Sequence, residues 1–148
     1  MSLIEIQGDL FAVPDLDALA HGVNTIGVMG AGIAVRFRDE WPAMFREYER
    51  ACRTGDLRPG DRHAWLDIFS SRWIYNLATQ PRPGRCARVA HVVSAVSRMV
   101  AHARAAGVRR IGLPRIGCGY GGLDYRDVRP VLLAAADDLD LVVVERKR

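Results

Sequence analysis

Ile111-Gly112-Leu113-Pro114-Arg115-Ile116-Gly117-Cys118-Gly119-Tyr120-Gly121-Gly122-Leu123-Asp124-Tyr125-Arg126-Asp127 decides the fold. Its apolar start reads as a short buried strand, and its end reads as a helix opening near Asp124. Between them stand four glycines in six residues, Gly117, Gly119, Gly121 and Gly122. A turn with so few side chains lets peptide N–H groups face one way and approach a ligand closely, and a helix N-terminus just beyond adds partial positive charge. The stretch therefore reads as a strand, an anion cradle and a helix. The plainer reading of the same residues is a tight turn with Asp124 as an ordinary N-cap.

A second unit of the same kind lies upstream. Ala18-Leu19-Ala20-His21-Gly22-Val23-Asn24 is apolar without alternation, as for a strand covered on both faces. It runs into Thr25-Ile26-Gly27-Val28-Met29-Gly30-Ala31-Gly32-Ile33-Ala34, a second glycine-rich loop. Helical spacing follows through Phe37 and Trp41 and resumes after Pro42, which suits a first helical turn. Two strand–glycine loop–helix units in one small chain point to a shared anionic ligand. Further strands are expected at Leu3–Ile6, Ala64–Ile68, Trp73–Thr79 and Leu139–Val144. A helix from Ala87 to Ala106 carries one apolar stripe and is stopped by Gly107. The alternation predicts a three-layer α/β/α sandwich with a mixed, largely parallel central sheet, whose ligand site lies beyond the strands' carboxyl ends.

Bulk properties bound the function. A chain of 148 residues suits one domain spanning 1–148, and 49% apolar with 26% charged residues is a globular composition. With neither a signal-like start nor an apolar run long enough to span a bilayer, the expectation is a cytoplasmic protein without membrane partners. Cys52, Cys86 and Cys118, like the four histidines, are too dispersed for a metal site, so neither metal nor cofactor is expected. The net charge of +4 suits an anionic partner without establishing nucleic-acid binding. Lys147 is the sole lysine, which leaves none in the body of the domain to form a Schiff base with an opened sugar.

Candidate ligand contacts gather at strand exits: Asp9 and Leu10 after the first strand, and Thr79 and Gln80 at the start of the polar loop Thr79-Gln80-Pro81-Arg82-Pro83-Gly84. Asp9 reads either as an Asx turn or as a carboxylate accepting from an exocyclic amine. Arg82, Arg85 and Arg88 read as a solvated surface or as a basic lip. Gly117-x-Gly119-x-x-Gly122 also fits the dinucleotide fingerprint, with Glu145 beyond it. A dinucleotide unit normally begins its fold, whereas this one closes the chain, so redox chemistry is disfavoured.

Gly8-Asp9-Leu10-Phe11, Ala18-Leu19-Ala20-His21, Met29 to Ala34, Ile74 to Gln80 and, above all, Pro114 to Asp124 together resemble the macrodomain family, which binds ADP-ribose. The likeness covers nearly the whole chain and is closest to the compact branch of the terminal ADP-ribose protein glycohydrolase, the DNA ADP-ribosyl glycohydrolase antitoxin and the chromatin-remodeller macrodomain. It implies that Asp9 holds adenine and that Ile116, Gly117, Cys118, Gly119, Tyr120, Gly121 and Gly122 hold the diphosphate and distal ribose. Met29, Gly30, Ala31, Gly32, Ile33 and Ala34 would then close over that ribose. The chain departs from the lysine-dependent members: Thr79 and Gln80 stand where their catalytic lysine follows the strand, and Gly121 replaces a carboxylate.

The resemblance leaves three function classes: a hydrolase removing mono-ADP-ribose from glutamate or aspartate esters, a reader binding ADP-ribose without turnover, and an enzyme acting on nucleic-acid-linked ADP-ribose. For the hydrolase, water attack without a covalent lysine is expected, with Asn24, Thr79 and Asp124 as catalytic candidates. Asn24 is alternatively a buried amide tying its loop, and Asp124 a helix cap. A monomer with ADP-ribose or an ADP-ribosylated protein as partner is the expectation.

Overall fold

Alternate residues of three central strands enter different cores, and this parity creates the layers. Ala18 and Ala20, Tyr75 and Leu77, and Leu141 and Val143 join one buried cluster, while Leu19, Ile74, Val142 and Val144 join the other. The computed structural model, which describes residues 2–146, has six strands. They are β1 (Leu3–Gly8), β2 (Ala18–Val23), β3 (Arg62–Asp67), β4 (Arg72–Ala78), β5 (Arg110–Leu113) and β6 (Asp140–Arg146). Their order is β1-β6-β5-β2-β4-β3, parallel throughout except for β3, which pairs antiparallel with β4. The expected mixed, largely parallel sheet is present.

One face is covered by α3 (Val89–Ala106) and α4 (Tyr125–Ala136), the other by α1 (Ile33–Glu40) and α2 (Pro42–Thr54). The α3 stripe of Val92, Ala95, Val96, Met99, Val100 and Ala103 is buried, and Gly107 ends the helix in the left-handed region. Pro42 opens α2 as expected. Pro130 removes one intrahelical donor from α4, and burial of Val128, Leu132 and Ala136 holds that helix on the sheet.

Boundaries shift where side chains redirect the backbone. The strand expected to reach Ile68 ends at Asp67, whose carboxylate accepts from Phe69 N, Ser70 Oγ and Trp41 Nε1, turning the chain back into β4. This hairpin leaves Phe69 95% exposed at the end of the sheet opposite the carboxyl ends of β2, β4, β5 and β6. The third helix begins at Val89, two residues later than Ala87. Lys147 and Arg148, in the charged terminus, lie outside the described residues.

A polar ladder crosses β2, β4 and β3 under the α1–α2 layer. His21 Nε2 donates to Asn76 Oδ1 at 2.6 Å, and Asn76 Nδ2 donates to His63 Nδ1 at 3.0 Å, an assignment dictated by the network. His21 also stacks on Phe37 with centroids 3.8 Å apart, and its Nδ1 is buried without a partner. A proton there would be a buried, unpaired charge, and burial pushes the imidazole down from 6.5 to about 4. Burial lowers His63 in the same direction.

The unfolded chain therefore binds more protons between these values. Stability is complete above the unfolded value and is lost as pH falls through the folded one. Urea unfolding is expected to show a loss of about 2–3 kcal/mol from His21 between about pH 7 and pH 4.5. His21→Gln, though less stable overall, should flatten most of that slope; an unchanged slope would remove His21 as its cause.

Candidate functional site

The chain leaving β2 is bent by Asn24. Its Oδ1 accepts from Ile26 N at 3.1 Å and Val28 N at 3.3 Å, while its Nδ2 donates to Val28 O at 2.8 Å. The Tyr48 hydroxyl donates to the Asn24 carbonyl oxygen at 2.8 Å and lies 3.1 Å from Oδ1. Burial raises the Tyr48 pKa, so the group remains a protonated donor. Asn24 thus lines the site as a loop brace, and one Nδ2 hydrogen has no partner among the described residues.

Beyond this knot the loop enters α1 through Gly32, at φ 61° and with no side-chain cap. Among the described residues, the N–H groups of Ile33 and Ala34 engage no backbone acceptor. The loop after β5 turns on itself through Cys118 N to Arg115 O, Gly122 N to Gly119 O and Leu123 N to Gly117 O, and the N–H groups of Gly119, Tyr120 and Gly121 have no acceptor among the described residues. Gly121 has no room for a side chain: a Cβ there would lie 2.6 Å from Gly117 O. The two loops meet where the Tyr120 ring lies over Gly32, and a Cβ at 32 would come within 2.8 Å of that ring. Together they enclose a cleft of about 910 Å³ at the carboxyl ends of the parallel strands.

The source of the helix dipole differs from the expectation. Asp124 caps α4 by accepting from Arg126 N at 2.9 Å, and its carboxylate also pairs with the Arg126 guanidinium at 2.7 Å. That side-chain bond holds Asp124 below its ordinary range, so it lines the cleft as a paired carboxylate rather than a proton donor. The uncapped helix end belongs to α1, where Gly32 provides no side chain.

Most of the sequence-predicted residues converge. Met29, Gly30, Ala31, Gly32, Ile33 and Ala34 line one wall; Ile116, Gly117, Cys118, Gly119, Tyr120 and Gly121 line the other; Thr79 and Gln80 lie at the β4 exit. Asp9, Leu10 and Gly122 do not line it. Asp9 accepts from Phe11 N and pairs with Arg36 at 2.7 Å, Leu10 is buried in the core, and Gly122 packs against Arg85. The Cys118 thiol is raised to about 11 by burial and is protonated at neutral pH.

Sequence reasoning did not anticipate Tyr125, Val144 and Arg146 in the far wall, and singled out Glu145 only through the disfavoured dinucleotide fingerprint; Glu145 pairs there with Arg115 at 3.1 Å. The Arg115 guanidinium also lies 4.3 Å from the Tyr125 ring centroid. The only available signal was that these residues follow or end parallel strands. At the opposite mouth stand Pro83 and Gly84, with Arg82, Arg85 and Arg88 exposed nearby. None of these three arginines forms an ion pair among the described residues. Also among the described residues, no three His, Cys, Asp or Glu side chains group to hold a metal, and no helix is long and apolar enough to cross a membrane.

The Macro domain family model matches residues 20–132, from within β2 into α4, the span that contains both loops. This chain belongs to the Macro domain family. Among its relatives, the DNA ADP-ribosyl glycohydrolase of Mycobacterium tuberculosis is 32% identical over 93% of this chain and 40% of the relative. The ADP-ribose glycohydrolase OARD1 of Homo sapiens is 28% identical over 93% of this chain and 86% of that protein. The solved macrodomain of Mycobacterium tuberculosis DarG superposes with a TM-score of 0.88 at 30% identity, covering 96% of both chains. The present chain thus spans about two fifths of the DNA ADP-ribosyl glycohydrolases it matches.

In this macrodomain the Asn24 knot sets the shape of the first loop. Tyr48→Phe removes the hydroxyl that ties it to α2 and is expected to cost about 1–2 kcal/mol in urea unfolding. Limited proteolysis should also cut faster between Thr25 and Ala31; an unchanged cleavage rate would show that the loop holds without Tyr48.

Proposed function

We propose that this macrodomain binds ADP-ribose and hydrolyses the bond joining a single ADP-ribose to an acidic side chain, with water as the nucleophile. The observation that carries this reading is the convergence of two side-chain-poor loops on one cleft. The second loop, with amides that have no acceptor among the described residues, and the uncapped start of α1 line the same cleft, a donor set suited to a diphosphate. The cleft volume of about 910 Å³ is adequate for a nucleotide sugar. The names of the relatives from Mycobacterium tuberculosis and Homo sapiens support the same class of reaction.

In this reading the ligand runs one way along the cleft. The nucleobase lies toward Tyr125 and Val144 at the β6 end, the diphosphate lies between the glycine loops, and the distal ribose reaches toward Thr79 and Gln80. Its carrier leaves by the mouth at Pro83 and Gly84. Asp9 pairs with Arg36 through Oδ1 outside the cleft lining, which leaves Oδ2 as its oxygen for an exocyclic amine. Asn24 orients the distal ribose through its remaining Nδ2 hydrogen and by shaping the loop.

The reaction proceeds without a covalent lysine. Thr79 and Gln80 stand at the β4 exit, and the sole lysine is Lys147. An ester on glutamate or aspartate leaves as a stable carboxylate, so positioning water and stabilising charge that develops at the ribose are sufficient contributions from the protein. A nucleic-acid carrier is the second reading, favoured by unpaired Arg82, Arg85 and Arg88 beside the mouth and by the Mycobacterium tuberculosis relative.

Calorimetry should detect ADP-ribose binding, and Gly121→Ala should weaken it at least about tenfold by moving the Gly117 carbonyl. Wild-type protein should release ADP-ribose from a glutamate-modified protein faster than from a thymidine-linked oligonucleotide; the reverse order would favour the nucleic-acid carrier. Binding without release from either would make the domain a reader. Asn24→Ala should slow release, and undiminished release would remove Asn24 from the mechanism.

A further inference from the structure

Gln80 is nine-tenths buried, yet half of its amide is unspent. Its Nε2 donates to Arg82 O at 2.7 Å and Gly84 O at 2.8 Å, using both hydrogens and fixing which end of the amide is nitrogen. The carbonyl end must therefore point the other way. Oε1 lies beside Gly121, 2.9 Å from where a Cβ on that residue would stand, and accepts no hydrogen bond among the described residues. The loop after β4 thus holds a rigid acceptor against the second glycine turn, in the wall of the cleft.

Each of the other side-chain amide and carboxylate acceptors in the lining already has a partner. Asn24 Oδ1 accepts from two backbone amides, Asp124 pairs with Arg126 through both oxygens, and Glu145 pairs with Arg115. Glu145 also lies on β6, three strand positions from β4 and so about 14 Å away across the sheet. The composition of the wall matters for water. Where backbone N–H groups predominate, they engage a water molecule's lone pairs and make it a poor nucleophile. An acceptor that takes one O–H reverses the orientation and leaves a lone pair directed at the sugar.

We propose that Gln80, through Oε1, is the group that orients the attacking water at the distal ribose. The inference rests on the hydrolase reading above. In the step, the water oxygen bonds to the anomeric carbon as the bond from that carbon to the carrier oxygen breaks. The electron pair leaves with the carboxylate, and one water proton passes to solvent. A neutral amide accepts a hydrogen bond without taking the proton, so Gln80 contributes no titrating limb to the rate.

Two substitutions separate orientation of water from bracing of the loop. Gln80→Met removes both the donors and the acceptor at similar length, whereas Gln80→Glu removes the donors and keeps an acceptor. Single-turnover release from a glutamate-modified protein is the readout, with calorimetry of ADP-ribose to verify that each variant retains a formed cleft. The expected result is a fall of about 100-fold in the chemical rate for Gln80→Met, with ADP-ribose affinity within about threefold of wild type. Gln80→Glu should retain the rate within about tenfold despite a weaker KM, and should gain an acidic limb in the carboxylate range that wild type lacks. Equal losses in the two variants, or none in either, would overturn the role of Oε1 while leaving the hydrolase reading intact. Absence of release by wild type would overturn both.

Discussion

Asn24 is the restraint on which the site depends. Past β2 the backbone keeps one cross-strand contact, Thr25 N to Pro81 O, and one side-chain amide then shapes the loop by binding the chain two and four residues ahead. Tyr48 ties that amide to α2, so the first glycine loop is anchored by a polar contact as well as by the buried side chain of Met29. The loop then enters α1 with its N-terminus open. Without the knot, the glycines that permit close approach would be a source of disorder, because glycine loses more freedom on ordering than any other residue.

The parts of the molecule most legible in sequence were those governed by local rules. Buried strands showed as apolar runs, α3 as a three-and-four spacing, and both loops as glycine clusters at strand exits. The parts that were not legible involve competition between partners distant in sequence. Asp9 could be recognised as a turn residue, but nothing nearby revealed its pairing with Arg36 or its place outside the cleft lining. Similarly, the helix charge was placed at α4 because Asp124 follows the richer glycine run. The structure closes that end with the aspartate and leaves α1 open, since Gly32 has no capping side chain.

Membership of the Macro domain family and the lack of a lysine in the domain body are reconciled by the division of labour in the cleft. Backbone amides and an open helix end face the region suited to anions, and these do not depend on side-chain identity. The side chains beside that cradle are a separate set: the β4 exit supplies Thr79 and Gln80, with Gly121 too closely packed for any side chain. A cradle of this type can be retained while the groups beside it change.

The antiparallel course of β3 has a practical consequence. Because β4 begins at the Asp67–Arg72 turn and ends at the cleft, its seven residues separate Phe69 from the site by about 20 Å. A fluorophore or surface linker attached at that exposed tip would therefore report on, or immobilise, the molecule while leaving the ligand entrance unobstructed.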